Sequence, residues 1–193
     1  MPKSYVDEIV VRYLMKEGYL ISQGIWFPLE REKTGKKVSG WSDIDIFAVK
    51  PNAPPLIIQC KSFSGTEKSK TIVEKIVTWF NNAEEFLKNS DYKKWSSKRK
   101  YKKVFVVDSS VKKTENALKE KGIETWSYKD VLDKLLKKLQ NEQKEITKEK
   151  GQGRIGKEED VLLRVFSDMM RRNIICPKKN INQLKNLKRK KGM

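Results

Sequence analysis

The chain has 193 residues, of which 37% are apolar, enough for one ordinary hydrophobic core but too few for several large domains. Basic residues outnumber acidic ones by 43 to 25, and the resulting net charge of +18 predicts a polyanionic partner. The sequence has no histidine, and its two cysteines, Cys60 and Cys176, lie outside any CxxC spacing. This excludes histidine-based catalysis, imidazole metal ligands and a disulfide framework.

The first third of the chain predicts one helix followed by three strands. Apolar residues at helical spacing indicate a helix over residues 4–17 that ends at Gly18, and a strand follows over 19–29. Residues 30–40 are polar and predict a loop or a hairpin tip. Strands over 42–50 and 56–63 come next, with the PNAPP turn between them, and the apolar start of the last one is typical of a central strand.

The remaining elements alternate between helix and strand. The predicted order is a helix over 66–88, a strand over 102–108, a helix over 112–121, a strand over 122–128 and a helix over 129–146. This order predicts an α/β fold in which helices flank a mixed central β-sheet. We expect the core to comprise residues 1–147.

Residues 148–193 predict a polar linker followed by a basic helical extension. Its apolar residues from Val161 to Met170 form one stripe at helical spacing, which must pack on the core, on itself or on a second copy of the chain. A homodimer is therefore one of the expected assemblies. The N-terminus lacks a secretory signal, and no run reaches the roughly 18 apolar residues of a membrane helix, so we expect a cytoplasmic protein without a membrane partner.

The excess positive charge is concentrated in two segments that contain no acidic residue. Residues 92–103 hold seven basic residues and residues 171–193 hold nine. Tyr92, Trp95 and Tyr101 interleave with the first segment, which favours stacking on bases beside a phosphate backbone. The alternative is a solvated loop whose aromatic side chains return to the core. The predicted nucleic-acid contacts are Lys93, Lys94, Lys98, Arg99, Lys100, Lys102, Lys103, Lys188, Arg189, Lys190 and Lys191.

Polar residues stand on the second and third strands where a buried strand is normally apolar. Strand alternation places Asp43 and Asp45 on one face with Phe47, and Gln59 and Lys61 on one face of the next strand. If the two strands pair, these side chains converge. Carboxylate and amide oxygens suit a hard cation such as Mg²⁺, and a lysine can stabilise negative charge, which together favour phosphodiester hydrolysis. A structural Asp–Lys pair at a strand end is the alternative.

This pattern resembles the PD-(D/E)XK nuclease superfamily. The run from Gly40 through Asp45-Ile46-Phe47-Ala48, a proline-bearing turn and Ile57-Ile58-Gln59-Cys60-Lys61 is similar to Mrr-like restriction endonucleases and archaeal Holliday junction resolvases, in their Gln-x-Lys variant. The first helix, which ends at Gly18-Tyr19, also fits. The similarity covers roughly residues 5–110. It implies a restriction-endonuclease-like core.

The resemblance implies a role for each residue that matches the motif. Asp45 corresponds to the metal ligand, Asp43 to a supporting residue or, if the register slips by two, the ligand, and Lys61 to the catalytic lysine. Gln59 stands where most members have Glu, which gives the cation one negative charge fewer. The first helix supplies a further acid: Glu8 has the usual residue type, whereas Asp7 lies nearer the apolar face.

These residues predict an Mg²⁺- or Mn²⁺-dependent endonuclease that acts on duplex or branched DNA, with metal ligands Asp45, Gln59 and Glu8. The alternative is a protein on the same fold that binds nucleic acid without cutting it. RNA stays an alternative partner, although the sequence has no RNP or GXXG signature.

Overall fold

A computed structural model describes most of the first 150 residues of the chain. The described ranges are 5–33, 36–61, 69–96, 100–107 and 112–150. Basic residues 98, 99 and 188–191 and the stripe from Val161 to Met170 lie outside them, as does the whole extension beyond Lys150.

Five helices and five strands make up the described part. The helices are α1 (Tyr5–Lys16), α2 (Ser69–Asn89), α3 (Lys93–Ser96), α4 (Lys112–Glu120) and α5 (Tyr128–Lys150). The strands are β1 (Leu20–Lys33), β2 (Lys36–Val49), β3 (Leu56–Lys61), β4 (Lys102–Val107) and β5 (Ile123–Ser127). Every helix and strand predicted between residues 4 and 146 is present, and α3 is the one addition within the described residues.

The strands form one mixed sheet in the order β1-β2-β3-β4-β5. The β1–β2 and β2–β3 pairs are antiparallel, whereas β3–β4 and β4–β5 are parallel. The predicted α/β class with a mixed sheet flanked by helices is confirmed. The third strand is central, as its apolar residues predicted, and the turn after Lys50 joins it to β2.

Two predicted boundaries differ from the structure. Paired strands run on through much of the polar segment 30–40, since β1 extends to Lys33 and β2 begins at Lys36. Helix α5 continues to Lys150, past the predicted end at residue 146, because its polar residues are good helix formers that sequence analysis assigned to a linker.

Helix α1 ends as its sequence predicts. Gly18 has a φ of +82°, and Tyr19 N donates to Leu14 O while Gly18 N donates to Met15 O. These are the two bonds of a Schellman motif, in which glycine accepts the left-handed conformation without strain. The turn brings the chain directly from α1 into β1.

One face of the sheet packs against α2. Side chains from all five strands join Ile76, Trp79 and Phe80 of α2 in one buried cluster. Ile57 belongs to this cluster, and Trp79 Nε1 donates to Ser42 Oγ at 3.0 Å. We call this side of the sheet the α2 face and the opposite side the α1 face.

The chain divides into two compact units, Met1–Val131 and Leu132–Met193. The first unit carries the sheet. In the described part of the second, Leu135, Leu136 and Leu139 are buried. Among the described helices, none has both the length and the apolar character needed to cross a membrane.

Candidate metal centre

Three elements bring two carboxylates and a thiol together. Asp7 lies in the first turn of α1, Asp45 lies in β2 and Cys60 lies in β3. One ligand atom from each of these residues lies within 4.8 Å of the others. We call Asp7, Asp45 and Cys60 the acidic cluster. Acidic residues in a first helical turn are favoured by the helix dipole, so α1 presents Asp7 at little cost.

Asp45 is held in place by the backbone of β3. Its Oδ2 accepts a hydrogen bond from the Cys60 N–H at 2.7 Å. Burial raises the pKa of Asp45 from 3.8 to about 6, and the negative charges of Asp7 and Asp43 add to this increase. The hydrogen bond and the charge of Lys61 oppose the increase without cancelling it. Asp45 therefore carries its negative charge at an energetic cost.

The thiol of Cys60 is buried beside the two carboxylates. Burial raises its pKa, and the charge of Asp7, the charge of Asp45 and a side-chain hydrogen bond with Asp7 raise it further. The thiol is thus protonated at neutral pH. A protonated thiol is a poor metal ligand, so the carboxylates are the cluster's strongest ligands for a hard cation.

A break in the β1–β2 ladder positions Asp45. Gln23 pairs with Ile46 and Ile25 pairs with Ile44, but Gly24 and Asp45 between them are not among the paired residues. Gly24 has a φ of +63°. Such a glycine distorts a strand, which lets a neighbouring side chain leave the regular alternation.

The break explains why strict alternation along β2 is wrong. Strict alternation would place Ile44 and Phe47 on opposite faces, whereas both belong to the buried cluster on the α2 face. Asp45, by contrast, lies with Cys60 and Asp7. The distortion at Gly24 supplies the physical reason, and the isolated glycine within a strand pattern was its signal in the sequence.

Gln59 and Lys61 flank Cys60 along β3. Gln59 is 7% exposed and pairs in register with Phe105, a member of the cluster on the α2 face. Strand alternation places its side chain on the face opposite Cys60. The predicted convergence of Asp45 and Gln59 on one face therefore differs from the structure. Lys61 is exposed at the end of β3, and its charge lowers the pKa of both Asp45 and Cys60.

The structure brings Asp7 rather than Glu8 into the acidic cluster. The Glu8 carboxylate instead forms an ion pair with Arg12, one turn along α1. Asp43 is half-buried, pairs in register with Trp26, and acts on Asp45 through its charge. The geometry thus favours the alternative in which Asp7 is the helix acid. Cys60 was not among the predicted site residues, although it lies between Gln59 and Lys61 in the sequence motif.

The basic segment 92–103 is only partly available to a ligand. Lys93, Lys94 and Lys100 are exposed. Lys102 Nζ lies 2.5 Å from Glu124 Oε2, and Lys103 Nζ lies 2.8 Å from Glu84 Oε2. The last two lysines already have anionic partners within the protein, which weakens them as phosphate contacts.

Two aromatic residues of this segment pack inward. Tyr101 is buried, with its ring 6.3 Å from that of Phe47, and Tyr92 packs edge-on against the same phenylalanine at 5.8 Å. For these two rings the prediction of base stacking is wrong, and the alternative in which they return to the core is confirmed. Burial of aromatic surface outweighs the polar character of the surrounding sequence.

Comparison with known proteins adds no family assignment. No family model matches the chain, and no curated protein matches it.

Proposed function

We propose that the protein is a metal-dependent nuclease that hydrolyses DNA phosphodiester bonds. The observation that carries this proposal is the approach of the Asp7 and Asp45 carboxylates to within 4.8 Å of each other in a half-buried site. Two neighbouring carboxylates repel each other when both are ionised, and burial strengthens this repulsion. A divalent cation between them would remove that cost.

The donor set fits Mg²⁺ or Mn²⁺. Asp7 and Asp45 would hold the cation through hard oxygen ligands, which these ions prefer. When bound, such an ion polarises a phosphate and lowers the pKa of a coordinated water.

The chain itself supplies orientation and positive charge. The Cys60 N–H fixes the Asp45 carboxylate, and the positive charge of Lys61, which acts on Asp45 from the exposed end of β3, would stabilise negative charge that develops on a phosphate. Asp43, in electrostatic range of Asp45, adds negative potential that favours a cation. Lys93, Lys94 and Lys100 can hold flanking phosphates. A restriction-endonuclease-like core, as implied by the sequence resemblance, is part of this proposal.

One observation favours a second function, in which the protein binds nucleic acid without cutting it. Gln59 is neutral, buried, and placed by alternation on the face opposite Cys60. The cation would then have two charged ligands from the described residues rather than three. This second function predicts that DNA binding is sensitive to salt and that Asp45→Ala leaves the binding unchanged.

Cleavage assays separate the two functions. The full chain is incubated with supercoiled, linear and four-way-junction DNA in Mg²⁺, in Mn²⁺ and in EDTA. We expect cleavage only with a metal, and its loss in Asp45→Ala and Lys61→Ala. Asp91→Ala and Lys119→Ala remove exposed charges outside the acidic cluster and serve as matched controls that retain activity. Cleavage that persists in EDTA or in Asp45→Ala would contradict the proposal.

A further inference from the structure

Two tryptophans lie exposed on the β1–β2 hairpin. Trp26 is 56% exposed and Trp41 is 66% exposed. Trp26 pairs in register with Asp43, and Pro28 pairs with Trp41, so the two indoles are diagonal neighbours on one face of the hairpin. Such neighbours lie about 7–8 Å apart. Large exposed aromatic side chains that adjoin one another are typical of a binding surface. We call these two residues the tryptophan pair.

The tryptophan pair faces the same side of the sheet as the acidic cluster. Phe27, next to Trp26, is fully buried in the cluster on the α2 face, and Ser42, next to Trp41, bonds to Trp79 of α2. Trp26 and Trp41 therefore face the α1 side, where Cys60 meets Asp7.

The tryptophan pair is also close to the acidic cluster along the strand. Trp41 lies four residues from Asp45 in β2, and Trp26 is opposite Asp43, two residues from Asp45. At about 3.4 Å per residue, Trp26 and Trp41 are displaced from Asp45 by roughly 7 and roughly 14 Å along the strand direction, respectively. The same interval spans about two to four nucleotides at the 3.4 Å rise of each DNA strand.

The charge of the chain and the chemistry of the indole rings indicate which ligand binds the tryptophan pair. The net charge of +18 favours a polyanion, and the hairpin end, residues 30–40, has four basic and two acidic residues. Indole rings stack on any nucleobase whose face is accessible. Bases inside a paired duplex are already stacked on both faces, so only an unpaired base can use this surface.

We propose that Trp26 and Trp41 stack on an unpaired DNA base two to four nucleotides from the phosphate held at the acidic cluster. This inference deepens the proposed function and rests on it, because it assigns DNA with unpaired nucleotides as the preferred substrate. The tryptophan pair is then a specificity element, whereas the acidic cluster carries the chemistry.

The test measures binding of the full chain to labelled DNA in EDTA, where no cleavage occurs. The probes are a duplex with one bulged thymine and the fully paired duplex of the same sequence. We expect tighter binding to the bulged probe, and a loss of about 5- to 150-fold on that probe alone in the Trp26→Ala/Trp41→Ala double variant. The Trp26→Phe/Trp41→Phe double variant keeps aromatic rings and should retain most of the preference.

The matched control is Leu20→Ala, which removes another large side chain of β1 that is 65% exposed. It should bind both probes as the wild type does. Acrylamide quenching of tryptophan fluorescence is measured for the wild type and for the double phenylalanine variant, and the difference reports on Trp26 and Trp41. These two indoles should be accessible to acrylamide without DNA and shielded from it when the bulged probe is bound.

Three results would overturn the inference. The first is a double alanine variant that prefers the bulged probe over the paired duplex as strongly as the wild type does. The second is shielding of the indoles without DNA at every protein concentration, which would mean that the chain covers its own tryptophan pair. The third is shielding that grows with protein concentration, which would assign the surface to a second copy. If cleavage depends on Asp45 but substitution of the two tryptophans leaves the preference for the bulged probe unchanged, only this inference fails. If no DNA is cut, the proposed function fails, and the binding assay still decides the role of the pair.

Discussion

Replacement of Asp45 by asparagine should stabilise the metal-free protein, and the gain should depend on pH. The pKa of Asp45 rises from 3.8 to about 6 because the folded protein buries the carboxylate. The folded state consequently binds more protons than the unfolded state between these two values. The contribution of Asp45 to stability therefore falls as pH rises through this window.

The size of the effect follows from the pKa difference. At 1.36 kcal/mol per unit, a difference of about two units corresponds to roughly 3 kcal/mol. This penalty is absent below pH 3.8 and complete above about pH 6. Asparagine carries no charge, and its side-chain oxygen can still accept the Cys60 N–H bond. Asp45→Asn should therefore be more stable than the wild type by roughly 2–3 kcal/mol at pH 8 and nearly equal to it at pH 3.5.

Urea unfolding of both proteins in EDTA, followed by circular dichroism across this pH range, measures the difference directly. Taking the difference removes the titration of groups that the two proteins share. Asp91→Asn, at an exposed acid, is the control and should show no comparable pH-dependent gain. A gain that does not vary with pH, or a variant that is less stable at pH 8, would refute the argument. Added Mg²⁺ should then stabilise the wild type more than the variant, because the variant has lost a charged ligand.

Three further substitutions test other parts of the structure. Gly24→Ala should lower the free energy of unfolding by about 1–2 kcal/mol, because its φ of +63° is strained for alanine although the added Cβ meets open space; equal stability in urea would contradict this. Burial raises the pKa of Glu84, but its bonds to lysines, Lys103 among them, outweigh burial and lower it. Glu84→Gln should therefore cost about 1 kcal/mol at pH 7 and progressively less as pH falls below 4.5, and a loss that is the same at pH 3 would oppose the argument. Lys94→Ala should weaken DNA binding and reduce its salt dependence. Lys102→Ala should change both much less, because Lys102 already pairs with Glu124. Equal losses of DNA affinity in the two variants, measured by salt titration, would contradict this difference between the two lysines.

Periodicity in the sequence predicted the element order because it records which faces are buried. The helical spacing before Gly18 marks the buried face of α1, and the apolar run from Leu56 marks β3 as a central strand. The PNAPP turn joins two strands because proline cannot continue a helix or donate to a ladder. Pattern arguments failed where a single backbone conformation changed the geometry, as at Gly24, where positive φ interrupts the alternation that placed Asp45.

The sequence by itself determined the α/β class, the strand order along the chain and the net charge of +18, because these depend on local periodicity and composition. It also marked Asp45 and Lys61 as candidates. Only the tertiary structure decided which acid of α1 approaches Asp45, that the thiol of Cys60 joins them, and that the rings of Tyr92 and Tyr101 pack inward. These outcomes depend on contacts between residues far apart in the chain, and local patterns carry no information about such contacts.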